Sequence, residues 1–356
     1  MIRCGKTVRR LVLLGLALTM TLVSCGEKKP AAAAKDAAGE VSGKLVIYTS
    51  MYEDIIEKMT QTLNTRFPKA EIKFFYGGTG TLQAKIAAEM NAGKLGCDMM
   101  MLAEPSYSLE LKEAGILHKY VSPARDRLAF EYDSEGYWYP VRVLNMVLAY
   151  NPDKYSLGDI PHTMQGFAHD PRLKGFISMP NPLTAGSALA AISALRDKYG
   201  YEYYTALGNQ KVMVESGSVA LTKLETGECK VIMILEESVL KKREEEKSKL
   251  TVIYPDDGSV LIPSTIMTVK GEKSANNNTR AAEIVTDWFL SEEGQAAIVG
   301  GWMHSVLKNY DKLPYDAIPT AKILAASMPV NWEKTFRQRE EMRKKFEDNV
   351  TIKKAK

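Results

Sequence analysis

Strands and helices alternate with almost no spare residues over positions 44–90 of this chain. A short apolar run at 45–47 is followed by apolar residues at every third or fourth position, which is the spacing of one face of a helix. A second apolar run at 72–76 stops at a glycine- and threonine-rich loop, and a new helical stripe begins after it. The segment therefore predicts a βαβα unit, and this pattern is typical of a parallel sheet covered by helices.

Two strand ends of this unit are expected at the same edge of the sheet. The first is Tyr48-Thr49-Ser50, and the second is the loop at 77–81. Ligands bind outside the carboxyl ends of strands in open α/β folds. We therefore expect this edge to form half of a ligand site, with Ser50 in its wall.

The amino terminus has the pattern of a secretory signal. Basic residues precede an apolar segment at 11–21, which is too short to span a bilayer as a mature helix. Leu22-Val23-Ser24-Cys25 resembles the bacterial lipobox, whose cysteine becomes the lipid-bearing first residue; an ordinary signal peptide with an incidental Cys25 is the alternative. We expect a signal peptide over 1–24, lipidation at Cys25, and a flexible Ala-, Lys- and Gly-rich tether over 25–43.

The charge balance argues against one class of function. The chain carries 47 Lys and Arg against 43 Asp and Glu, yet four of the basic residues and no acidic residue lie within 1–24. The remainder is balanced at 43 charges of each sign. Nucleic-acid-binding proteins usually show a clustered basic face, so we expect no nucleic-acid partner.

Two of the four cysteines, Cys97 and Cys229, lie beyond the tether. They allow a disulfide in an oxidising compartment, and a pair of buried free thiols is the alternative. Neither cysteine has the neighbouring Cys or His residues of a zinc site.

The chain beyond the tether is long enough for two domains, since its roughly 310 residues exceed what one compact core usually holds. An apolar run within 96–104 predicts a third buried strand, and the aromatic and branched stretch at 132–150 predicts a crossing into a second domain. Further strands are predicted at 176–179, 211–214, 230–235 and 262–269, with the return crossing at 250–254.

Several loops between a predicted strand and a predicted helix are rich in Gly, Ser and Thr. Helix amino ends present unpaired N–H groups and the positive end of the helix dipole, so they can hold an anion without a full positive charge. Ser and Thr are also ordinary helix caps, so one such loop is a weak signal, whereas three in two facing domains favour an anion site. The candidate residues are Thr79, Gly80, Thr81, Thr184, Ser187, Ser216 and Ser218.

Motifs of catalysis are missing from the sequence. It holds no G-x-S-x-G nucleophile context, no Walker or dinucleotide fingerprint and no H-E-x-x-H. Glu236 and Glu237 follow a predicted strand, and as strand neighbours they would point to opposite faces and not converge as an acid/base pair. We expect neither an enzyme nor a cofactor; a secreted enzyme that uses cleft carboxylates is the less favoured alternative.

The order of these segments resembles the type 2 periplasmic solute-binding proteins of ABC importers, in the subgroup that includes ferric-ion-binding, sugar-phosphate-binding and phosphonate-binding proteins. The likeness covers most of 44–307. It is carried by the segments 45–50, 77–81 with 85–89, 96–98, 147–151, 170–175 and 289–295.

The resemblance implies an α/β fold with two lobes, each a mixed sheet flanked by helices, joined by two crossing strands. With this fold, lobe 1 is expected at 44–145 plus 256–305 and lobe 2 at 146–255 plus 306–356. The lobes would close on a small ligand and hand it to a membrane permease. We expect a monomer in the periplasm or cell envelope, held to a membrane through Cys25.

The resemblance leaves two ligand classes open. Iron binders carry adjacent tyrosines after the strand that corresponds to 230–235, and here Glu236 and Glu237 take their place. If iron were bound, oxygen ligands would come from Tyr52, Glu104 and Glu236.

Phosphorylated sugars or phosphonates suit the hydroxyl-lined loops better. Arg142 and Asn145, near the predicted crossing, would assist the loops in holding phosphate oxygens. Glu236 or Glu237 would accept hydrogen bonds from ligand hydroxyls or pair with an ammonium group.

Overall fold

The computed structural model describes residues 41–351. The expected signal peptide, Cys25 and nearly all of the tether lie outside the described residues. The strands are β1 Gly43–Thr49, β2 Ala70–Tyr76, β3 Met99–Leu102, β4 Tyr139–Tyr150, β5 Ile177–Pro180, β6 Met213–Glu215, β7 Val231–Leu235, β8 Thr251–Ile253 and β9 Val260–Thr268.

Helices cover both faces of the sheet. Those before β7 are α1 Glu53–Arg66, α2 Thr79–Asn91, α3 Ser106–Glu113, α4 Met164–His169, α5 Gly186–Tyr199, α6 Glu202–Asn209 and α7 Gly217–Thr226. Those after β7 are α8 Glu236–Glu245, α9 Thr279–Phe289, α10 Glu292–Val299, α11 Thr320–Ala326, α12 Trp332–Arg337 and α13 Arg339–Phe346.

The predicted βαβα unit is confirmed as β1, α1, β2 and α2. Strand β1 pairs in parallel with β2 on one side and with β3 on the other. Helix α1 buries Ile55, Met59 and Leu63, which is the stripe that the sequence spacing predicted. The strand ends of β1 and β2 therefore lie side by side, as expected of a parallel pair.

One continuous sheet runs through the molecule in the order β2-β1-β3-β9-β4-β7-β5-β6, with β8 paired to β4. We call the part built around β1, β2 and β3 lobe 1, and the part built around β5, β6 and β7 lobe 2. Strands β4 and β9 pair with each other antiparallel and connect the two. This two-lobed α/β architecture, with two crossing strands, agrees with the fold class expected from the sequence.

Strand β4 belongs to both lobes along its length. Its first part pairs with β9, from Tyr139 opposite Ile266 to Met146 opposite Val260. Its last residues pair with β7, from Met146 opposite Leu235 to Tyr150. Every residue of β4 is buried, because neighbouring strands and helices cover both of its faces.

The return crossing is not where the sequence suggested. The short strand β8 pairs only with the last three residues of β4, so it stays within lobe 2. Strand β9 makes the return instead, since it pairs with β4 at its start and with β3 at its end. Apolar composition marked both segments as strands, but pairing partners decide which of them crosses.

The last two helices, α12 and α13, pack on the rest of the molecule. Helices α12 and α13 bury Trp332, Met342 and Phe346. Cys97 and Cys229 are both buried free thiols that belong to different parts of the core, so the disulfide alternative is not realised. Among residues 41–351, no helix has the length and apolar character needed to cross a membrane.

Asp98 fixes the start of β3 against the neighbouring strand and a distant loop. Its carboxylate accepts hydrogen bonds from the Val46 amide at 2.9 Å and from the Asn276 amide and side chain at 2.7 and 2.8 Å. The side chain is almost fully buried. Removal of the Asp98 carboxylate would leave buried donors without an acceptor. The free-energy penalty of these unsatisfied donors exceeds the net contribution of the hydrogen bonds to stability.

We therefore expect Asp98→Ala to lower the free energy of unfolding by about 3 kcal/mol, measured by urea denaturation. The matched control is Asp126→Ala, because the Asp126 side chain is 83% exposed and should shift stability by less than about 0.5 kcal/mol. Equal effects of the two substitutions would contradict this role for Asp98.

Candidate functional site

A cavity of about 830 Å³ lies between the two lobes. Its wall includes residues at or next to the amino ends of five helices: α1, α2, α5, α7 and α8. Lobe 1 contributes α1 and α2, and lobe 2 contributes α5, α7 and α8. Five helix dipoles with their positive ends near one cavity create an environment that favours negative charge.

Three of these helices have no acidic residue in their first turn, namely α2, α5 and α7. They contribute hydroxyl side chains to the cavity, from Thr79 and Thr81, from Ser187, and from Ser216 and Ser218. Ser216 accepts a hydrogen bond from the Val219 amide at 3.3 Å and therefore caps α7. Ser216 therefore acts as an ordinary helix cap, which the sequence analysis gave as the alternative to ligand binding. Its hydroxyl also lies 3.0 Å from the Ser218 hydroxyl in the cavity wall.

The other two helices, α1 and α8, carry acidic residues in their first turns. Asp54 of α1 forms an ion pair with Lys241 of α8. Lys242 of α8 pairs with Glu225 and Glu246 at 3.2 and 2.8 Å. Acidic and basic side chains are thus paired on this side of the cavity. On the side formed by α2, α5 and α7, the one carboxylate in the wall is that of Glu215, and it pairs with Lys223 at 2.8 Å.

Arg142 lies at the base of the cavity on the crossing strand β4, opposite Ser264 of β9. Its guanidinium donates to the Ser264 hydroxyl at 3.1 Å, to the Met303 sulfur at 3.1 Å and to the Ser50 hydroxyl at 3.4 Å. Only 2% of the residue is exposed, and within residues 41–351 it makes no ion pair. Burial lowers the pKa of Arg142 to about 10, so the group stays positively charged at neutral pH.

Glu237 and Tyr52 share the base of the cavity with Arg142. Burial raises the pKa of Glu237 to about 7, although the positive charge of Arg142 opposes this shift. Burial, with the negative charge of Glu237, raises the pKa of Tyr52 to about 12, so this phenol is neutral. The base therefore holds one fixed cation, one carboxyl group that titrates near neutral pH and one neutral hydroxyl.

The structure brings most of the sequence-predicted residues to this cavity. Those in its wall are Ser50, Tyr52, Thr79, Thr81, Arg142, Thr184, Ser187, Ser216, Ser218 and Glu237. Those not in its wall are Gly80, Glu104, Asn145 and Glu236.

Glu236 and Glu237 are the first two residues of α8 and not strand neighbours, which corrects the expectation from the sequence. Successive residues of a helix point about 100° apart, so the two carboxylates separate. Glu237 faces the cavity. Glu236 accepts hydrogen bonds from Asn145 at 2.8 Å and from the Tyr254 hydroxyl, and it lies 3.0 Å from His304.

Gly80 and Glu104 lie between the lobes, behind the cavity wall. The Gly80 amide donates to the Thr184 carbonyl at 3.0 Å, which joins α2 to the loop before α5. A Cβ at Gly80 would lie 3.0 Å from that same carbonyl oxygen, so glycine permits this close approach. Glu104 is fully buried and accepts from the Ser106 amide at 2.8 Å.

The residues considered for iron do not share one pocket. Tyr52 lines the cavity, whereas Glu236 and Glu104 are hydrogen-bonded elsewhere. In the described part of the chain, no group of three or more His, Cys, Asp and Glu side chains is arranged to hold a metal ion.

The sequence reasoning missed several residues of the cavity wall. These include Tyr76, Asn181, Gly186, Gly217, Lys241 and Lys242. Tyr76, Asn181 and Gly217 sit at strand ends or helix starts that were already predicted, so the same rule would have found them. The two lysines lie on the second turn of α8, and no local pattern distinguishes them from a solvated helix face.

Comparison with known proteins identifies the family. The model of the family described as bacterial extracellular solute-binding protein matches residues 97–335, more than half of the chain. An uncharacterized protein of Haemophilus influenzae is 23% identical over 273 residues, which are 72% of this chain and 76% of that protein.

Two solved structures show the same fold. One is the periplasmic binding protein AfuA from Actinobacillus pleuropneumoniae with exogenous fructose-6-phosphate bound, at a TM-score of 0.74 and 22% identity over 87% of this chain and 99% of that chain. The other is iron-bound HitA from Pseudomonas aeruginosa, at a TM-score of 0.73 and 20% identity over 85% of this chain and 99% of that chain.

The matched family, the two-lobed fold and the interlobe cavity agree with one another and with the resemblance found in the sequence. The chain therefore belongs to the family of bacterial extracellular solute-binding proteins, and it is a type 2 solute-binding protein of an ABC importer.

Proposed function

We propose that this protein captures a small solute that carries a phosphate or phosphonate group and delivers it to its permease. The observation that carries the proposal is the Arg142 guanidinium, which is buried at the base of the cavity and forms no direct ion pair among the described residues, although the charge of the nearby Glu237 carboxyl group acts on it. A buried charge without a partner is costly, and an anionic ligand group would supply that partner. Guanidinium and phosphate match in geometry as well as in charge.

The helix starts on the facing side support the same ligand class. Backbone amides at the amino ends of α2, α5 and α7, with the hydroxyls of Thr79, Ser187 and Ser218, offer many donors, and the neighbouring Glu215 carboxylate is already paired with Lys223. A phosphate or phosphonate group has several acceptor oxygens, so it uses such a set of donors fully. AfuA, which shares this fold, was solved with fructose-6-phosphate bound, and that ligand belongs to the proposed class.

Glu237 gives the site a second kind of contact. Its carboxyl group lies beside Arg142 and has a pKa of about 7, so it can accept hydrogen bonds from the hydroxyls of a sugar or donate one when protonated. A cavity of about 830 Å³ leaves room for an organic part of the ligand beyond one inorganic phosphate. We therefore favour a phosphorylated sugar or a phosphonate over the free ion.

Delivery to a permease needs the protein close to a membrane. We propose that lipidation at Cys25 and the tether over 25–43 supply this, and that the protein acts as a monomer without catalysis. The proposal assigns no cofactor to the protein.

Ferric iron is the second candidate, because iron-bound HitA has the same fold. Tyr52 could supply a phenolate oxygen, but Glu104 and Glu236 are buried in other hydrogen-bond networks outside the cavity wall. Iron would then need ligands from elsewhere in the cavity, such as Glu237.

A thermal-shift screen of the purified protein with fructose 6-phosphate, a small phosphonate, inorganic phosphate and ferric citrate separates the candidates. A ligand at about a hundred times its dissociation constant should add about 2.7 kcal/mol of stability; a response to ferric citrate alone would reject the phosphate proposal.

Replacing the buried guanidinium tests the proposal directly. We expect Arg142→Gln to weaken binding of the phosphate-bearing solute found in the screen by at least about 100-fold, since a buried charge pair contributes several kcal/mol to affinity. The free energy of unfolding without ligand should stay the same or rise, because a buried charge that forms no direct ion pair is removed. Isothermal titration calorimetry and urea denaturation measure the two effects. Arg125→Gln, a change at a partly exposed arginine outside the cavity, is the matched control; unchanged affinity in Arg142→Gln would exclude Arg142 as the anion contact.

The pH dependence of binding tests the role of Glu237. Above a pH of about 7 the carboxyl group is ionised, and its negative charge then opposes an anion held at Arg142. We expect the affinity of the wild type, relative to Glu237→Gln, to fall by up to about tenfold per pH unit above that pH. Dividing the affinity of the wild type by that of Glu237→Gln at each pH cancels the effect of the phosphate's own titration. Glu246→Gln, at the exposed rim of the cavity, serves as the control. A ratio that stays constant from pH 5 to pH 9 would contradict this role.

A further inference from the structure

The carboxyl-terminal segment 332–351, which we call the C-terminal strap, lies against both lobes. It consists of α12, α13 and one π-helical turn, Glu347–Thr351. Its contacts with lobe 2 include a buried apolar core, whereas its contacts with lobe 1 include several charged side chains.

The strap is joined to lobe 2 by a packed core. Phe346 is fully buried and its ring meets that of Tyr204 of α6 edge-on, with centroids 5.6 Å apart. The backbones also touch, because a Cβ at Gly208 of α6 would lie only 2.0 Å from the Asn349 carbonyl oxygen. Buried Ser193 and Thr335 share a hydrogen bond of 2.7 Å. Separation of such a surface would expose apolar area to water, so the strap belongs to lobe 2.

Helix α12 of the strap packs along α3 of lobe 1, and three arginines supply the charged contacts with this lobe. Arg337 forms an ion pair with Glu113 of α3. Arg339 donates to Glu110 at 2.5 Å and to the Ser106 hydroxyl at 3.2 Å, and it lies 3.9 Å from Glu104. Arg343, one helical turn further, donates to Gln83 of α2 at 3.3 Å. We call this contact the arginine seam.

The arginine seam is incompletely satisfied. Among the buried side-chain atoms without a hydrogen-bond partner are Glu104 Oε1, Gln83 Nε2, Arg339 Nε and Arg343 Nε, and all four belong to this one contact. Desolvated charges with unmet hydrogen bonds contribute little net stability. Surfaces of two lobes that move apart are expected to be polar, since water can hydrate them when they separate. A hydrophobic core that stays buried has no such requirement.

The arginine seam lies directly behind the cavity wall. A Cβ at Gly186, the first residue of α5, would lie 3.0 Å from Glu104 Cγ and 2.9 Å from Thr79 Cγ2. Glu104 and Thr79 are in lobe 1 and Gly186 is in lobe 2. The surface that the arginines hold together therefore continues into the cavity wall, where α2 meets α5.

From this asymmetry we propose that the C-terminal strap moves with lobe 2 and that its arginine seam holds lobe 1 in the closed position. Opening of the cleft then breaks the contacts of Arg337, Arg339 and Arg343, while the contacts of Phe346 and Val350 persist. The strength of the arginine seam sets the population of the closed form before any solute binds. This inference uses the contacts between the lobes and does not depend on which solute is bound.

Small-angle X-ray scattering of the purified protein without solute tests the proposal. The variant carries Arg337→Gln, Arg339→Gln and Arg343→Gln together. We expect its radius of gyration to exceed that of the wild type by on the order of 1 Å, as the lobes separate. Salt at about 1 M, where the Debye length is about 3 Å, should move the wild type in the same direction and should affect the variant less, since only ion pairs elsewhere between the lobes, such as that of Asp54 with Lys241, remain in it.

Arg172→Gln is the matched control, because Arg172 pairs at 2.6 Å with Asp170 two residues away and spans no lobe boundary. If the triple variant fails to fold, the pair of Arg337 and Glu113 gives a second test, since both side chains are about half exposed. Glu113→Arg should increase the radius of gyration, and the double variant Glu113→Arg with Arg337→Glu should restore the value of the wild type. A radius of gyration that is the same in all folded variants at low and high salt would overturn the proposal, even if the solute-binding experiments succeed.

Discussion

The antiparallel pairing of β4 with β9 is the constraint on which the rest of the molecule depends. These two strands pass from one lobe to the other as neighbours in a single sheet, so the lobes are linked through a hydrogen-bonded ladder and not through a loose linker. A ladder of two strands resists separation and sliding but allows bending and twisting. The lobes can therefore approach or part around a fixed base, which is the kind of motion that a solute-binding protein requires.

The cavity takes its chemistry from this ladder. Arg142 is on β4 and bonds Ser264 of β9, so a positive charge is fixed at the base of the cavity between the lobes. Helix starts from both lobes then surround the charge with amide and hydroxyl donors. Because both lobes supply part of the wall, an anion at the base would contact both at once and favour the closed arrangement. The ion pair of Asp54 with Lys241 on one side of the cavity and the arginine seam on the other are polar contacts between the lobes as well.

Much of the fold was predictable because its signals are local. The spacing of Ile55, Met59 and Leu63 defined α1, and the rule for strand ends and helix starts led to most of the ten candidate residues in the cavity wall, whereas Arg142 was named for its place near the predicted crossing. The errors have a common cause. Strand β8 was predicted to make the return crossing, and Glu236 was placed with Glu237 on a strand, since apolar composition does not specify a pairing partner or the residue at which a helix begins.

The sequence by itself determined the type of protein. The alternating pattern of strands and helices, the glycine- and hydroxyl-rich loops and the order of family-like segments are properties of neighbouring residues, and they specify local structure. Tertiary structure alone decided which residues meet. It left Arg142 buried without a direct ion pair, turned Glu236 away from Glu237, and set the arginines of the strap against glutamates more than 200 positions earlier in the chain. Burial and long-range pairing depend on how distant segments pack, and no local pattern of residues encodes them.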